Sequence, residues 1–259
     1  MTLLFLTTGP GRCAAFLAAA SVAYLTALGA QAGEVKVAVA ANFTDAAKEI
    51  GALFATASGH KAIYSFGSTG QLYTQISQAA PFEVFLAADH ARPKKAVDEG
   101  LAVKGGSLFT YATGRIVLFS KDKGMVTEEA TLKSGTFAKI AIANPATAPY
   151  GAAAVQTMKA LGVYDALSAR IVQGNNIAQT YQFVDTGNAE VGFIALSQIA
   201  LHDKGSRWVV PESLYATIAQ DAVLLKRGAD NPAALAFAAF LKSAEARRVK
   251  EKYGYGSGD

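Results

Sequence analysis

The chain has 259 residues, 51% of them hydrophobic, which is ample material for a core. Its formal net charge is only +4, and the charges are interspersed (Lys48-Glu49, Lys94-Lys95 close to Asp98-Glu99, both signs mixed over 245–252), so no basic stripe for nucleic acid is present. The single cysteine, Cys13, lies near the N-terminus, which excludes a disulfide framework and leaves the rest of the chain without thiolate chemistry.

Residues 1–32 read as an export signal. Arg12 is their only charge, an apolar run covers 13–28, and Ala30-Gln31-Ala32 has the small-x-small form of a cleavage site, so cleavage is expected after Ala32. The apolar run is shorter than the roughly 20 residues needed to cross a bilayer, and no basic stop-transfer cluster follows it. Cys13 precedes most of that run and is not placed for lipid attachment just after a signal sequence.

The next stretch changes period within a few residues. Val35, Val37 and Val39 alternate with Lys36 and Ala38 as in a strand, then Phe43, Ala47, Ile50 and Phe54 fall on one helical face. Asn42, between them, stands where an N-cap belongs, and Asp45 follows at the acidic position of a capping box, so a helix is expected to start at Asn42. The first N–H groups of such a helix lack intrahelical partners and its dipole favours negative charge, so the corner suits an anion. Taken alone, the segment reads first as an ordinary helix cap, ahead of an anion site.

Strand and helix patterns then alternate. A strand is expected over 62–66, the turn Gly67-Ser68-Thr69-Gly70 follows, and Leu72, Ile76 and Ala79 mark a helix. Residues 83–87 read as a buried strand, Asp89 as the cap of a helix with Pro93 in its first turn and Gly100 past its end, and 115–120 as a strand before a polar loop over 121–135. A strand over 139–143 runs into Asn144-Pro145-Ala146-Thr147-Ala148-Pro149-Tyr150-Gly151 and an Ala-rich helix to Leu161. Residues 170–172 lead into Gly174-Asn175-Asn176-Ile177 and another helix; 190–195, 208–210 and 222–226 are strands, and Pro232 opens a closing helix to about Lys252. This alternation predicts an α/β protein with largely parallel sheets. The corners at Asn42, Ser68, Tyr150 and Ile177 all combine a strand end with a helix start. In open parallel sheets the ligand crevice lies beyond the carboxyl ends of the strands, so two facing lobes would gather these corners around one anion.

The segments AANFTDA (40–46), YSFGSTGQL (64–72), PFEVFLAAD (81–89), NPATAPYG (144–151), TGNAEVGFIALS (186–197) and QDAVLLKRG (220–228) together resemble the periplasmic molybdate-binding proteins of ABC importers, over essentially the whole chain after the export segment. The resemblance implies a two-lobed periplasmic-binding-protein fold of type II, each lobe a mainly parallel sheet flanked by helices, with the ligand cleft between them. It places lobe 1 at 33–112 plus 217–259 and lobe 2 at 113–216, with crossings near 111–114 and 215–220. It implies four contacts to the oxyanion: Asn42, Ser68, Tyr150 and the backbone N–H of Ile177. At Ala195 the chain departs from the many members that carry a tyrosine hydroxyl donor; replacement by an Asn42 side-chain N–H, replacement by the Tyr150 hydroxyl, and altered affinity or selectivity all stay open. The implied function is capture of molybdate, and of tungstate, for delivery to an inner-membrane ABC permease. No catalysis and no cofactor are expected, molybdenum is held only as the oxyanion, and the receptor is expected to be a periplasmic monomer that binds no nucleic acid.

Physical chemistry agrees with neutral donors. A fully ionised oxyanion only accepts hydrogen bonds, and none of the four positions carries an acid. The rival ligands are sulfate and phosphate. The rival class is an exported serine hydrolase with Ser68 as nucleophile, which requires His90 or His202 as its base. His60, His90 and His202 read as surface residues, Ser58-Gly59-His60-Lys61 as a chance Ser-x-x-Lys, Trp208 as strand packing, and Phe66, Phe183 and Phe193 as core.

Overall fold

The computed structural model describes Thr2 and residues 32–258; the export segment therefore falls, but for Thr2 and Ala32, outside the described residues. In chain order the elements are β1 (Glu34–Ala40), α1 (Thr44–Ser58), β2 (Lys61–Gly67), α2 (Thr69–Ser77), β3 (Val84–Leu86), α3 (Ala91–Asp98) and β4 (Phe109–Gly114). There follow β5 (Ile116–Ser120), α4 (Ala130–Ser134), β6 (Ile140–Ala143), α5 (Pro149–Ala160), α6 (Tyr164–Leu167), β7 (Ile171–Gly174), α7 (Ile177–Asp185), β8 (Val191–Ala195) and β9 (Ser206–Val209). The chain closes with β10 (Ile218–Leu224), α8 (Pro232–Phe240) and α9 (Ala244–Lys252).

Two five-stranded sheets result, ordered β2-β1-β3-β10-β4 and β7-β6-β8-β5-β9. In the first, β1 pairs in parallel with β2 and β3, whereas β10 runs antiparallel to β3 and β4. The second repeats the scheme, with β6 parallel to β7 and β8, and β5 antiparallel to β8 and β9. Half of the pairings are thus antiparallel, because each sheet takes in strands next to the two points where the chain passes between sheets. The first passage is Arg115 alone, between β4 and β5; the second lies between β9 and β10. They meet side by side, Gly114 pairing with Ile218.

Both faces of each sheet are covered. Val35, Val37 and Val39 of β1 pack with Ile50, Phe54 and Phe237 on one face, while Ala38 packs with Leu72, Phe85 and Val223 on the other. The second sheet is buried likewise, Ile140 and Phe193 towards Tyr150 and Met158, Val117 and Ile194 towards Val184.

Several local expectations change. Asn42 does not cap α1: it sits in a 3-10 turn, Ala41–Phe43, and the α-helix begins at Thr44. The expected closing helix is two helices, because Ser243 accepts the Ala246 N–H (3.2 Å) and starts α9 afresh. The 121–135 loop contains α4, and β4 is a strand that the alternation pattern does not mark. Asp89 does serve the start of α3, its Oδ1 accepting from the Arg92 N–H at 2.9 Å. Phe66 is 37% exposed on the edge strand β2 and so is not core. His60 is half-buried, its Nδ1 accepting the Gly33 N–H at 3.0 Å, whereas His90 and His202 are exposed.

Candidate functional site

All four predicted residues line one small cavity, of about 10 Å³, at the ends of β1, β2, β6 and β7. Asn42 and Ser68 come from the first sheet's side and Tyr150 and Ile177 from the second's, and none is more than 4% exposed. The lining holds no Lys, Arg, Asp, Glu or His. Its polarity comes from hydroxyls and from the opening N–H groups of helices.

Each corner presents donors for a local reason. Ser68 caps α2, its Oγ accepting the Gln71 N–H at 3.4 Å; the hydroxyl's own proton has no protein acceptor among the described residues. Thr69, which the sequence analysis does not single out, lines the cavity beside it, its Oγ1 accepting the Ala88 N–H at 3.0 Å. Tyr150 follows Pro149 at the start of α5, where Ala148 offers no side-chain cap, so the Tyr150 N–H has neither an intrahelical nor a capping partner. The next residue must be glycine: a Cβ on Gly151 would sit 2.0 Å from the Ala143 carbonyl oxygen. Ile177 opens α7 behind the N-cap Asn176, whose Oδ1 takes the Gln179 N–H at 3.0 Å, leaving the Ile177 N–H among the unpaired first donors.

Behind the cavity lies a buried polar network drawn from distant parts of the chain. The Asn42 carbonyl accepts from Ser197 Oγ (2.9 Å) and from Tyr255 OH (2.7 Å). Asn42 Nδ2 donates to Gln220 Oε1 (2.7 Å) and to Tyr255 OH (3.2 Å). Gln220 Oε1 also accepts from Tyr111 OH (3.1 Å), and Gln220 Nε2 donates to Tyr150 OH (3.3 Å). Gln220 stands at a bulge in β10 and is fully buried. Burial in this apolar surrounding pushes the Tyr150, Tyr111 and Tyr255 hydroxyls above their ordinary value of 10.0, so all three stay protonated donors at neutral pH. Of the alternatives left open at Ala195, the network removes one. That residue is buried at the end of β8, its N–H donates to Gln198 Oε1 (2.9 Å), and it does not line the cavity. Nor does the Asn42 side chain make up the missing donor, because both of its N–H bonds are spent on Gln220 and Tyr255. Gln220, Tyr111 and Tyr255 leave no local signal in the sequence; they meet Asn42 only through the fold.

Two contacts bridge the halves above the cavity. The Gly70 N–H donates to the Thr147 carbonyl (2.8 Å), and Arg92 Nη2 to the Ala146 carbonyl (2.9 Å), while Arg92 Nη1 pairs with Asp89. Arg92 is therefore engaged at the rim of a larger groove of about 290 Å³ and is not a charge inside the small cavity. The hydrolase arrangement is not formed: Ser68 has no hydrogen bond to a histidine, and His90 Nδ1 instead faces Asp221 Oδ2 at 2.5 Å.

Residues 35–256 match the model of the bacterial extracellular solute-binding protein family. The chain belongs to that family. The Rhodobacter capsulatus protein named molybdate-binding protein ModA is 55% identical over 88% of this chain and 90% of its own. A molybdate-binding protein ModA of Azotobacter vinelandii is 53% identical over 90% of this chain and 93% of its own. Among solved structures, the Azotobacter vinelandii periplasmic molybdate-binding protein superposes with a TM-score of 0.84, at 37% identity, over 87% of this chain and all of that one. In this solute-binding protein, then, the four residues named from the sequence meet at one small cavity, beside the larger groove that Arg92 borders.

Proposed function

We propose that this protein captures molybdate, and tungstate with it, in the cavity bounded by Asn42, Ser68, Tyr150 and Ile177, and delivers the anion to an ABC permease. The single observation that carries the ligand class is the lining: Ser68, Thr69 and the helix-opening residues Tyr150 and Ile177, whose first N–H groups lack intrahelical partners, meet at one small cavity with no charged side chain. Such a site stabilises an acceptor-only oxyanion by short-range hydrogen bonds, so size and donor count select the ligand where a lysine would attract every anion alike. The identity and coverage of the two relatives named molybdate-binding support molybdate over sulfate and phosphate. Nothing at the site favours the hydrolase reading, since Ser68 has no hydrogen bond to a histidine among the described residues.

The cavity divides two lobes, 33–112 with 217–259 and 113–216, joined by the paired passages at Gly114 and Ile218. Opening about these strands admits the anion, and closing brings Gly70 to Thr147 and Arg92 to Ala146. Export with cleavage after Ala32 places the mature monomer in the periplasm. The test is the metal content of the protein after dialysis against molybdate, for wild type and Ser68→Ala. One molybdenum per wild-type chain, with substoichiometric retention in the variant, is expected; equal retention by both would remove Ser68 from the site.

A further inference from the structure

Directly after Ala195 the chain makes a single 3-10 turn, Leu196–Gln198, and each of its three residues bonds to a different part of the site's surroundings. The Leu196 N–H donates to the carbonyl of Arg115, the residue through which the chain first passes between the sheets (2.9 Å). Ser197 Oγ donates to the Asn42 carbonyl (2.9 Å), and Gln198 Nε2 to the Ile177 carbonyl (3.1 Å). Asn42 and Ile177 both line the cavity, Asn42 after β1 of the first sheet and Ile177 at the start of α7, beside the second. The Ser197 proton is committed, because a carbonyl oxygen has none of its own and a hydroxyl at this distance must supply it. Gln198 is held in turn, its Oε1 accepting the Ala195 N–H (2.9 Å), which leaves its Nε2 for Ile177. The Gln198 bond thus stays on the turn's own side, whereas the Ser197 bond crosses to the other sheet. Ser197 is itself buried, and without it the Asn42 carbonyl keeps only Tyr255, which follows α9 on its own side.

We propose that Ser197 and Gln198 are positioning residues that fix the spacing between the Asn42 and Ile177 corners: Gln198 anchors the turn to Ile177, and Ser197 carries it across to Asn42 when the halves close on the anion. This deepens the oxyanion-receptor function and the closure proposed above, and rests on both. Neither residue lines the cavity, so each acts through the residue whose carbonyl it holds. The Ser197 bond forms on closing, so it opposes opening and slows release without altering encounter. The spacing also selects. A cavity of about 10 Å³ measures its ligand by the distance between its walls, so a corner free to drift relaxes the choice between molybdate and the smaller sulfate.

Ser197→Ala removes the bond to Asn42, and Gln198→Met keeps the length of the side chain while removing the bond to Ile177. Stopped-flow measurements read molybdate association and release for wild type, both variants and the double variant, and calorimetric titrations read the molybdate-to-sulfate affinity ratio of each. Either single variant is expected to release molybdate about threefold to tenfold faster, to associate within about twofold of wild type, and to lower the ratio about threefold or more. The double variant is expected to stay within about twofold of the faster single one, since losing either bond already breaks the bridge between the corners. A merely structural role would lower the melting temperature and the number of competent sites, and leave release from those sites and the ratio as in wild type. An unchanged release rate or an unchanged ratio in folded Ser197→Ala would overturn the spacing role alone, as would a fully multiplicative acceleration in the double variant. Should either single variant not fold, the other decides by the same two readings. A wild-type protein that binds no molybdate would instead overturn the receptor function, and the spacing role with it.

Discussion

Ser68 has one oxygen and one proton, and the fold assigns them different partners. The oxygen takes the Gln71 N–H at 3.4 Å, and the proton is left for the cavity. Removing the hydroxyl costs one hydrogen bond to a charged ligand, about 1.5–3 kcal/mol, and a weak cap of roughly 0.5–2 kcal/mol. Ser68→Ala is therefore expected to raise the molybdate Kd about 10- to 100-fold in a titration while lowering the melting temperature by only a few degrees. At this scale the sequence named residues that the fold brings to one cavity, but did not describe their bonding. Ser68, Tyr150 and Ile177 were legible because each sits at a strand-to-helix corner with its own turn residues. Asn42 was legible as a position but not in its role. The pattern around it is that of a capping box, yet its amide is claimed by Gln220 and Tyr255, 178 and 213 residues away, and no local signal carries such a contact.

The elements that carry these residues are held by close approaches of backbone. A Cβ on Gly151 would meet the Ala143 carbonyl at 2.0 Å and the Asn144 carbonyl carbon at 3.1 Å, both main-chain atoms that cannot rotate away. Gly151→Ala is expected to push α5 off β6, to cost about 1–3 kcal/mol or more, and to lower the melting temperature by several degrees, with weakened molybdate binding as the Tyr150 N–H is re-aimed. The start of α3 works differently. Arg92 is tethered to Asp89, just before its own helix, and reaches the Ala146 carbonyl in the facing half. On the proposed closure of the lobes, in which this contact is made only in the closed form, Arg92→Ala is expected in stopped-flow measurements to speed molybdate release about threefold to tenfold and leave the association rate unchanged. The alternating β and α elements were readable from period and punctuation. What was not readable followed from tertiary context: β4, with Thr110 and Thr113 in its run, is a strand because β10 pairs with it, and the closing helix divides because Ser243 competes for the backbone.

Across the whole molecule, burial of tyrosine hydroxyls sets the alkaline limit. Tyr111, Tyr150 and Tyr255 have their ionisation raised above the ordinary 10.0, chiefly by desolvation. Below pH 10 they are protonated in folded and unfolded chains alike, so they add no pH dependence. Above it the unfolded chain loses these protons and the folded one keeps them, so stability falls as pH rises. Thermal denaturation followed from pH 7 to 11 is expected to show no tyrosine-linked change to about pH 9.5 and a steep decline beyond it, less steep in Tyr255→Phe. Ligand acts in the opposite sense: saturating molybdate at 100 times its Kd stabilises the folded state by about 2.7 kcal/mol.

The central claim is that a cavity of neutral donors selects one class of tetrahedral dianion, and calorimetric titration of residues 33–259 with molybdate, tungstate, sulfate and phosphate tests it most directly. The predicted result is one site per chain, tight for molybdate and tungstate and at least about 100-fold weaker for sulfate and phosphate. Equal affinity for sulfate, or no binding of any of the four anions, would contradict it.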